Sequence, residues 1–243
     1  MSVADKIEIL NSKIPQVYEK GKKDEYDKFW DNFQDYGNRT KYSYAFTGYG
    51  WNTYNFYPKY DIKPEDGTHI FRAWEHSSSA YKLSLKQRLE ECGVKLDTSK
   101  VKAFDETFSY NTEFTEIPTI DLTSATSISN LFTHNYGTLK TIEKIIVNEN
   151  TPMGNWFGTN STGVVNLTID GTIGKNGFNV KDCKKLSTAS ILSILTALSK
   201  DSTIASGKSI TFATSHQSVI ETDAQCLEQY NLAINAGWTI AYV

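Results

Sequence analysis

Residues 108–157 read FSYNTEFTEIPTIDLTSATSISNLFTHNYGTLKTIEKIIVNENTPMGNWF, and one layout recurs along them. Phe108, Phe132 and Phe157 stand 24 and 25 residues apart, and upstream Phe46 and Phe71 are 25 apart as well. Between the phenylalanines lie the short apolar runs Ile117-Pro-Thr-Ile-Asp-Leu122 and Ile142-Glu-Lys-Ile-Ile-Val147, separated by clusters of Ser, Thr, Asn, Asp and Gly. Turn chemistry at a near-constant interval between short strands marks stacked supersecondary units. No unit of this kind covers its own apolar face, so stability has to come from neighbours stacking their strands in parallel.

Working outward, Phe56-Tyr-Pro-Lys-Tyr-Asp-Ile62, Val94-Lys-Leu-Asp97 and Leu167-Thr-Ile169 keep roughly the same step. The first step is longer because Ser84 to Glu91 (SLKQRLEE) inserts a helical segment carrying Leu85 and Leu89, with Gly93 as its stop. Toward the end, Leu186 to Leu198 predicts an amphipathic helix with Ser187 near its start, Ser209 to Ala213 a strand, Asp223 to Ala236 a helix closed by Gly237, and Trp238 to Val243 a last strand. Terminal units of a stack must cover its open end, and this segment, from about residue 186, reads as that cap.

The first 36 residues differ. Val3, Ile7, Leu10 and Ile14 lie at helical spacing, Pro15 interrupts, and Tyr26, Phe29, Trp30 and Phe33 resume it after Asp24 as an N-terminal cap. Fewer than three clean heptads are present, which leaves two readings: a helix face docked on the first unit, or a short coiled coil making a homo-oligomer through residues 3–34. The expected organisation is a helical attachment or oligomerisation segment over 1–36 and an α/β repeat of parallel strands, a solenoid, over 37–243.

The chain has 243 residues, 39% hydrophobic and 22% charged, which is enough apolar material for a sizeable core. Net charge is −3, and Lys and Arg form no long basic stripe, so nucleic acid is not an expected partner. The mixed charges of Glu19 to Asp31 read as a solvated helix face. No apolar stretch approaches ~18 residues, so membrane insertion is not expected. The opening MSVADKIEIL lacks the basic-then-apolar layout of an export signal, and synthesis and folding in the cytoplasm are expected. Cys92, Cys183 and Cys226 are far apart and odd in number, and read as reduced, buried thiols.

Chemistry is sparse. The sequence contains no HExxH, GxSxG or Walker pattern, and no cofactor or metal is expected. Gly48 to Asn52 (GYGWN) lacks the following Lys-Ser/Thr of a phosphate loop and reads as a turn. His69 and His76, with Glu75 and Asp66 nearby, read as turn or surface histidines rather than a metal site, and His134 and His216 are isolated. The adjacent pairs Glu90/Glu91 and Asp105/Glu106 diverge rather than converge as glycoside hydrolysis demands. The densest feature is aromatic: ten of the 25 residues from Tyr36 to Tyr60. Phe46, Trp51 and Phe56 can plug the first unit, while Tyr42, Tyr44, Tyr49, Trp51, Tyr54, Tyr57 and Tyr60 can form a wet aromatic platform for a surface glycan or a protein, and both readings stand.

At Ala45-Phe-Thr-Gly48 with Gly50-Trp51, Phe56 to Ile62, Leu89 to Ser99, Ile117-Pro-Thr-Ile120, Leu139-Lys-Thr-Ile142 and Ile169 to Gly174, the chain resembles the BspA-like leucine-rich-repeat proteins of gut Firmicutes and their prophages. Tyr18-Glu-Lys-Gly21 with Tyr26 and Phe29-Trp30 is similar to the N-terminal region of the prophage group. The resemblance covers nearly the whole chain. It implies a leucine-rich-repeat-like solenoid whose exposed strands bind, and a place among tail-associated proteins of a phage or prophage, with other tail or structural proteins as partners in a virion or tail-like particle. The chain departs from the family pattern at the 84–91 insertion and at Leu122 to Phe132, where Thr, Ser and Asn replace the usual leucines. The expected function is non-enzymatic binding. A carbohydrate-active enzyme on a repeat scaffold and a cell-surface adhesin are the alternatives.

Overall fold

The computed structural model describes residues 61–64, 83–110, 114–135, 137–158, 160–201 and 207–243. Over these residues the protein is mixed α/β, with four helices and parallel strands in sheets. The helical segment expected over 1–36, the aromatic run, and His69 and His76 lie outside the described residues.

The central sheet is built from β1 (Leu83–Ser84), β3 (Phe114–Ile117), β4 (Ile120–Asp121), β6 (Thr141–Val147) and β7 (Asn166–Gly171). The strand expected over 117–122 is split, because β3 ends at Ile117 and β4 begins at Ile120. Pro118 lies in the gap and has no N–H to give a ladder. Both pieces pair in parallel with β6, Ile117 beside Ile142 and Ile120 beside Ile145. β6 in turn pairs with β7, Ile142 beside Leu167 and Ile145 beside Ile169, with a register shift between those two pairs. Two apolar columns result, Ile117–Ile142–Leu167 and Ile120–Ile145–Ile169, and all six side chains are buried.

A second parallel ladder joins β2 (Ala103–Asp105) to β5 (Ser127–Ser129), Phe104 beside Ile128. β5 lies in the Thr-, Ser- and Asn-rich stretch Leu122 to Phe132, where no strand is expected from the sequence. Upstream, Ile62 and Leu96, from the expected strands at 56–62 and 94–97, form a parallel bridge; residues 56–60 lie outside the described residues.

The phenylalanine interval becomes a stack. Phe108 and Phe132 have ring centroids 5.7 Å apart, Phe132 and Phe157 5.2 Å, with interplanar angles of 17° and 20°. Phe178 closes the column edge-on against Phe157 and Trp156. The backbone repeats as faithfully: Glu106 and Asn130 both have φ 49°, and Tyr110 and His134 both have φ 57°. These left-handed residues are not glycine, a conformation that persists only where the surrounding structure fixes it.

Helix α1 (Leu85–Cys92) is the expected insertion: the Ser84 hydroxyl accepts from the Gln87 N–H, Gly93 ends it at φ 66°, and Leu85 and Leu89 are buried. Helix α2 (Thr188–Ser199) starts at the Ser187 cap, and α4 (Ala224–Asn235) at Asp223. Between them lie β8 (Lys208–Phe212), a 3-10 turn at Thr214–His216 and α3 (Gln217–Thr222), the last two absent from the sequence reading. β9 (Trp238–Tyr242) pairs in parallel with β8. Among the described residues no helix is long and apolar enough to cross a membrane.

The three cysteines are free. Cys183 and Cys226 are buried as expected, but Cys92, in the last turn of α1, is half-buried. Burial pushes the Cys226 thiol up to about 11 and raises those of Cys183 and Cys92, so none of them is set up as a thiolate nucleophile.

Candidate binding surface

Strand alternation that buries the two isoleucine columns turns the intervening side chains outward. Glu116, Thr141 and Asn166 stand side by side on β3, β6 and β7, as do Asp121, Ile146 and Asp170 on β4, β6 and β7. Between these two rows lie Thr119, Glu143, Lys144 and Thr168. All ten are half-buried or exposed.

The side chains of this face hold one another. The Lys86 ammonium, from α1, is 2.8 Å from Glu143, and the Thr119 hydroxyl and N–H each donate to the same carboxylate at 3.2 Å. The Ser84 hydroxyl donates to Glu116 at 2.6 Å, Asn166 donates to Thr141 at 3.4 Å, and Lys144 lies 3.3 Å from Asp170. Lys86 beside Glu143 holds that carboxyl below its usual range and raises its own ammonium. Helix α1 therefore contributes the Lys86 cation to the strand face, and its N-terminal cap, Ser84, a hydroxyl.

A second surface row follows the turns. The rings of Tyr110 and His134 stack at 4.4 Å with an interplanar angle of 12°, both half-buried, and Asn155 donates to the Asn130 side chain at 3.2 Å. The interval of 24 from residue 110 to 134 and of 25 from 130 to 155 was visible in the sequence. Neither pair belongs to an apolar run, so nothing drew attention to it.

Of the expected site residues, Tyr42, Tyr44, Tyr49, Trp51, Tyr54, Tyr57 and Tyr60 all lie outside the described residues. The carboxylate pairs are engaged separately: Glu91 with Arg88 at 3.2 Å, and Asp105 with the Ser129 hydroxyl. His216 is buried, with its ring edge-on to Phe212. Among the described residues, no group of three or more His, Cys, Asp or Glu side chains is arranged to hold a metal ion.

What the surface offers is a fixed grid of carboxylates, ammonium groups, hydroxyls and amides on a rigid sheet, able to hydrogen-bond a peptide or a polyhydroxylated ligand at several points. Compared with family models, curated proteins and solved structures, the chain has no significant match in any of the three.

Proposed function

We propose that the chain is a non-enzymatic binding and structural protein, its units stacked as a leucine-rich-repeat-like solenoid, serving as a recognition module in a phage or prophage tail-like assembly. The observation that carries the binding role is the polar strand face, in which Glu116, Thr141 and Asn166 recur in register on consecutive parallel strands. A surface that repeats with its scaffold offers a multivalent row to a partner that itself repeats, such as a glycan or a fibrous protein. The tail association rests on the resemblance of the segments between Ala45 and Gly174 to prophage leucine-rich-repeat proteins.

Lys86 and Thr119 hold the Glu143 carboxyl below its usual range, so it is fixed as a charged acceptor on this face and is not suited to the general-acid role in glycoside hydrolysis. The chosen test is a glycan array probed with the full chain, Tyr49→Ala/Tyr54→Ala, and Thr141→Ala/Asn166→Ala. Retained glycan that is lost in either variant, with folding intact by circular dichroism, is the expected result. Cleavage of arrayed glycan by the wild type, or capture unchanged in both variants, would contradict the reading.

A further inference from the structure

The chain covers one sheet edge with care. β7 has α2 beside it in place of a further strand: the Ser190 hydroxyl accepts the Leu167 N–H at 2.8 Å, and the Ser193 hydroxyl accepts the Ile169 N–H at 2.8 Å and donates to the Ile169 carbonyl at 3.1 Å. Among the described residues β9 has nothing comparable. Its one strand partner among the described residues is β8, in an unbroken five-residue register. Val243 directs both backbone groups to that side, donating to the Phe212 carbonyl and accepting from the Thr214 N–H. By the alternation of a parallel strand, the backbone groups of Ile240 and Tyr242 point to the open edge.

Exposed strand edges are normally guarded by lysine, proline or a bulge, and β9, WTIAY, has none of these. The apolar surface gathers at the same end. The exposed large hydrophobic side chains among the described residues are Leu227, Leu232, Ile234 and Val243. Leu227, Tyr230 and Ile234 share one face of α4 at spacings of three and four. Helix α4 packs against β9, and Tyr230 and Tyr242 both lie half-buried against the core there. Leucine, isoleucine and a strand edge that is open among the described residues therefore lie together.

We infer that the C-terminal unit is a self-association surface, on which β9 of a second copy pairs antiparallel with β9 about a two-fold axis and the Leu227–Ile234 faces of α4 flank the seam. Charge selects a second copy as the occupant. From Ala224 to Val243 the one charged side chain is Glu228, in a chain that is 22% charged overall, so the segment meets its own copy with almost no like-charge repulsion and offers a strongly charged partner nothing to pair with. An open edge is also complementary to itself under two-fold symmetry. This surface is separate from the strand face and stands or falls without it.

The experiment is sedimentation velocity on the full chain across a concentration series, with amide hydrogen exchange read in parallel. A reversible dimer is expected, with the Ile240 and Tyr242 amides slowing as the dimer fills. Leu227→Glu/Ile234→Glu and, separately, Ala241→Lys should each weaken it at least about tenfold, as introduced like charges facing each other do, with unchanged circular dichroism. The exchange result on the wild type needs no variant and stands if either one misfolds. A monomer at every concentration overturns the inference, whether those amides exchange fast or are held slow by another segment of the chain. So does a dimer indifferent to all three substitutions, which would place association elsewhere, such as residues 3–34.

Discussion

Phe132 sits at the middle of the phenylalanine stack. It is fully buried, with Phe108 stacked on one side and Phe157 on the other. Phe132→Ala removes both ring contacts and leaves a cavity that neighbouring units cannot close, so a loss of about 3–5 kcal/mol in urea unfolding is expected. A loss below about 1 kcal/mol would mean the column collapses to fill the gap. Glycine matters at one close approach: a Cβ on Gly163 would stand 2.6 Å from the Gly137 Cα, so here the two chain segments meet backbone to backbone. The buried His216 gives a pH response near neutrality among the described residues. Burial holds its pKa below the ordinary 6.5, partly offset by the backbone of Cys183 and Lys184, so the unfolded chain takes up the proton first. Stability is therefore full above that value and declines as pH falls below it. Asp97, lowered by its Ser99 hydrogen bonds, and Glu143, lowered by Lys86, add a second decline as pH falls below their ordinary 3.8 and 4.5. Thermal melts from pH 8 to 3 should show both stages, and His216→Phe should remove the first.

At the scale of elements, the serines of α2 make the sharpest test. Ser190 accepts from Leu167 N–H and donates to the Val165 carbonyl at 3.0 Å, so its hydroxyl stands in for a missing ladder partner. Ser190→Ala leaves the Leu167 N–H buried without an acceptor, and a loss of about 1–3 kcal/mol is expected, with faster exchange of that amide. Unaltered exchange at Leu167 would show that the helix does not serve as the edge cover. The sequence made α2 legible as an amphipathic helix with a Ser187 cap, since apolar spacing and capping are local signals. It did not reveal what Ser190 and Ser193 do, because their partners lie 23 and 24 residues away. The β2–β5 ladder was hidden for a related reason. Ser127 and Ser129 are exposed and carry no apolar alternation, and the strand exists because Phe104 and Ile128 meet in register across units. The α1 insertion, by contrast, was readable to within a residue from Ser84, Leu85, Leu89 and Gly93.

At the scale of the whole molecule, the interval of 24–25 residues was the feature most fully written in the sequence, because Phe108, Phe132 and Phe157 carry it into one ring stack. It reappears in strand register, in ring stacking and in matched left-handed torsions at Glu106/Asn130 and Tyr110/His134. The surface was less legible, since polar side chains on strands carry no signal distinguishing a binding row from an ordinary wet face. Deletion of residues 116–140 asks whether these intervals are interchangeable structural units. That cut removes one interval and joins Thr115 to Thr141, whose neighbour Ile142 holds the position of Ile117 in the register. A shortened protein that still folds is expected, with β-sheet and helix signatures retained and a single cooperative unfolding transition at lower urea, since stacked units lose stability by increments. A chain that shows no cooperative transition after losing one interval would contradict it.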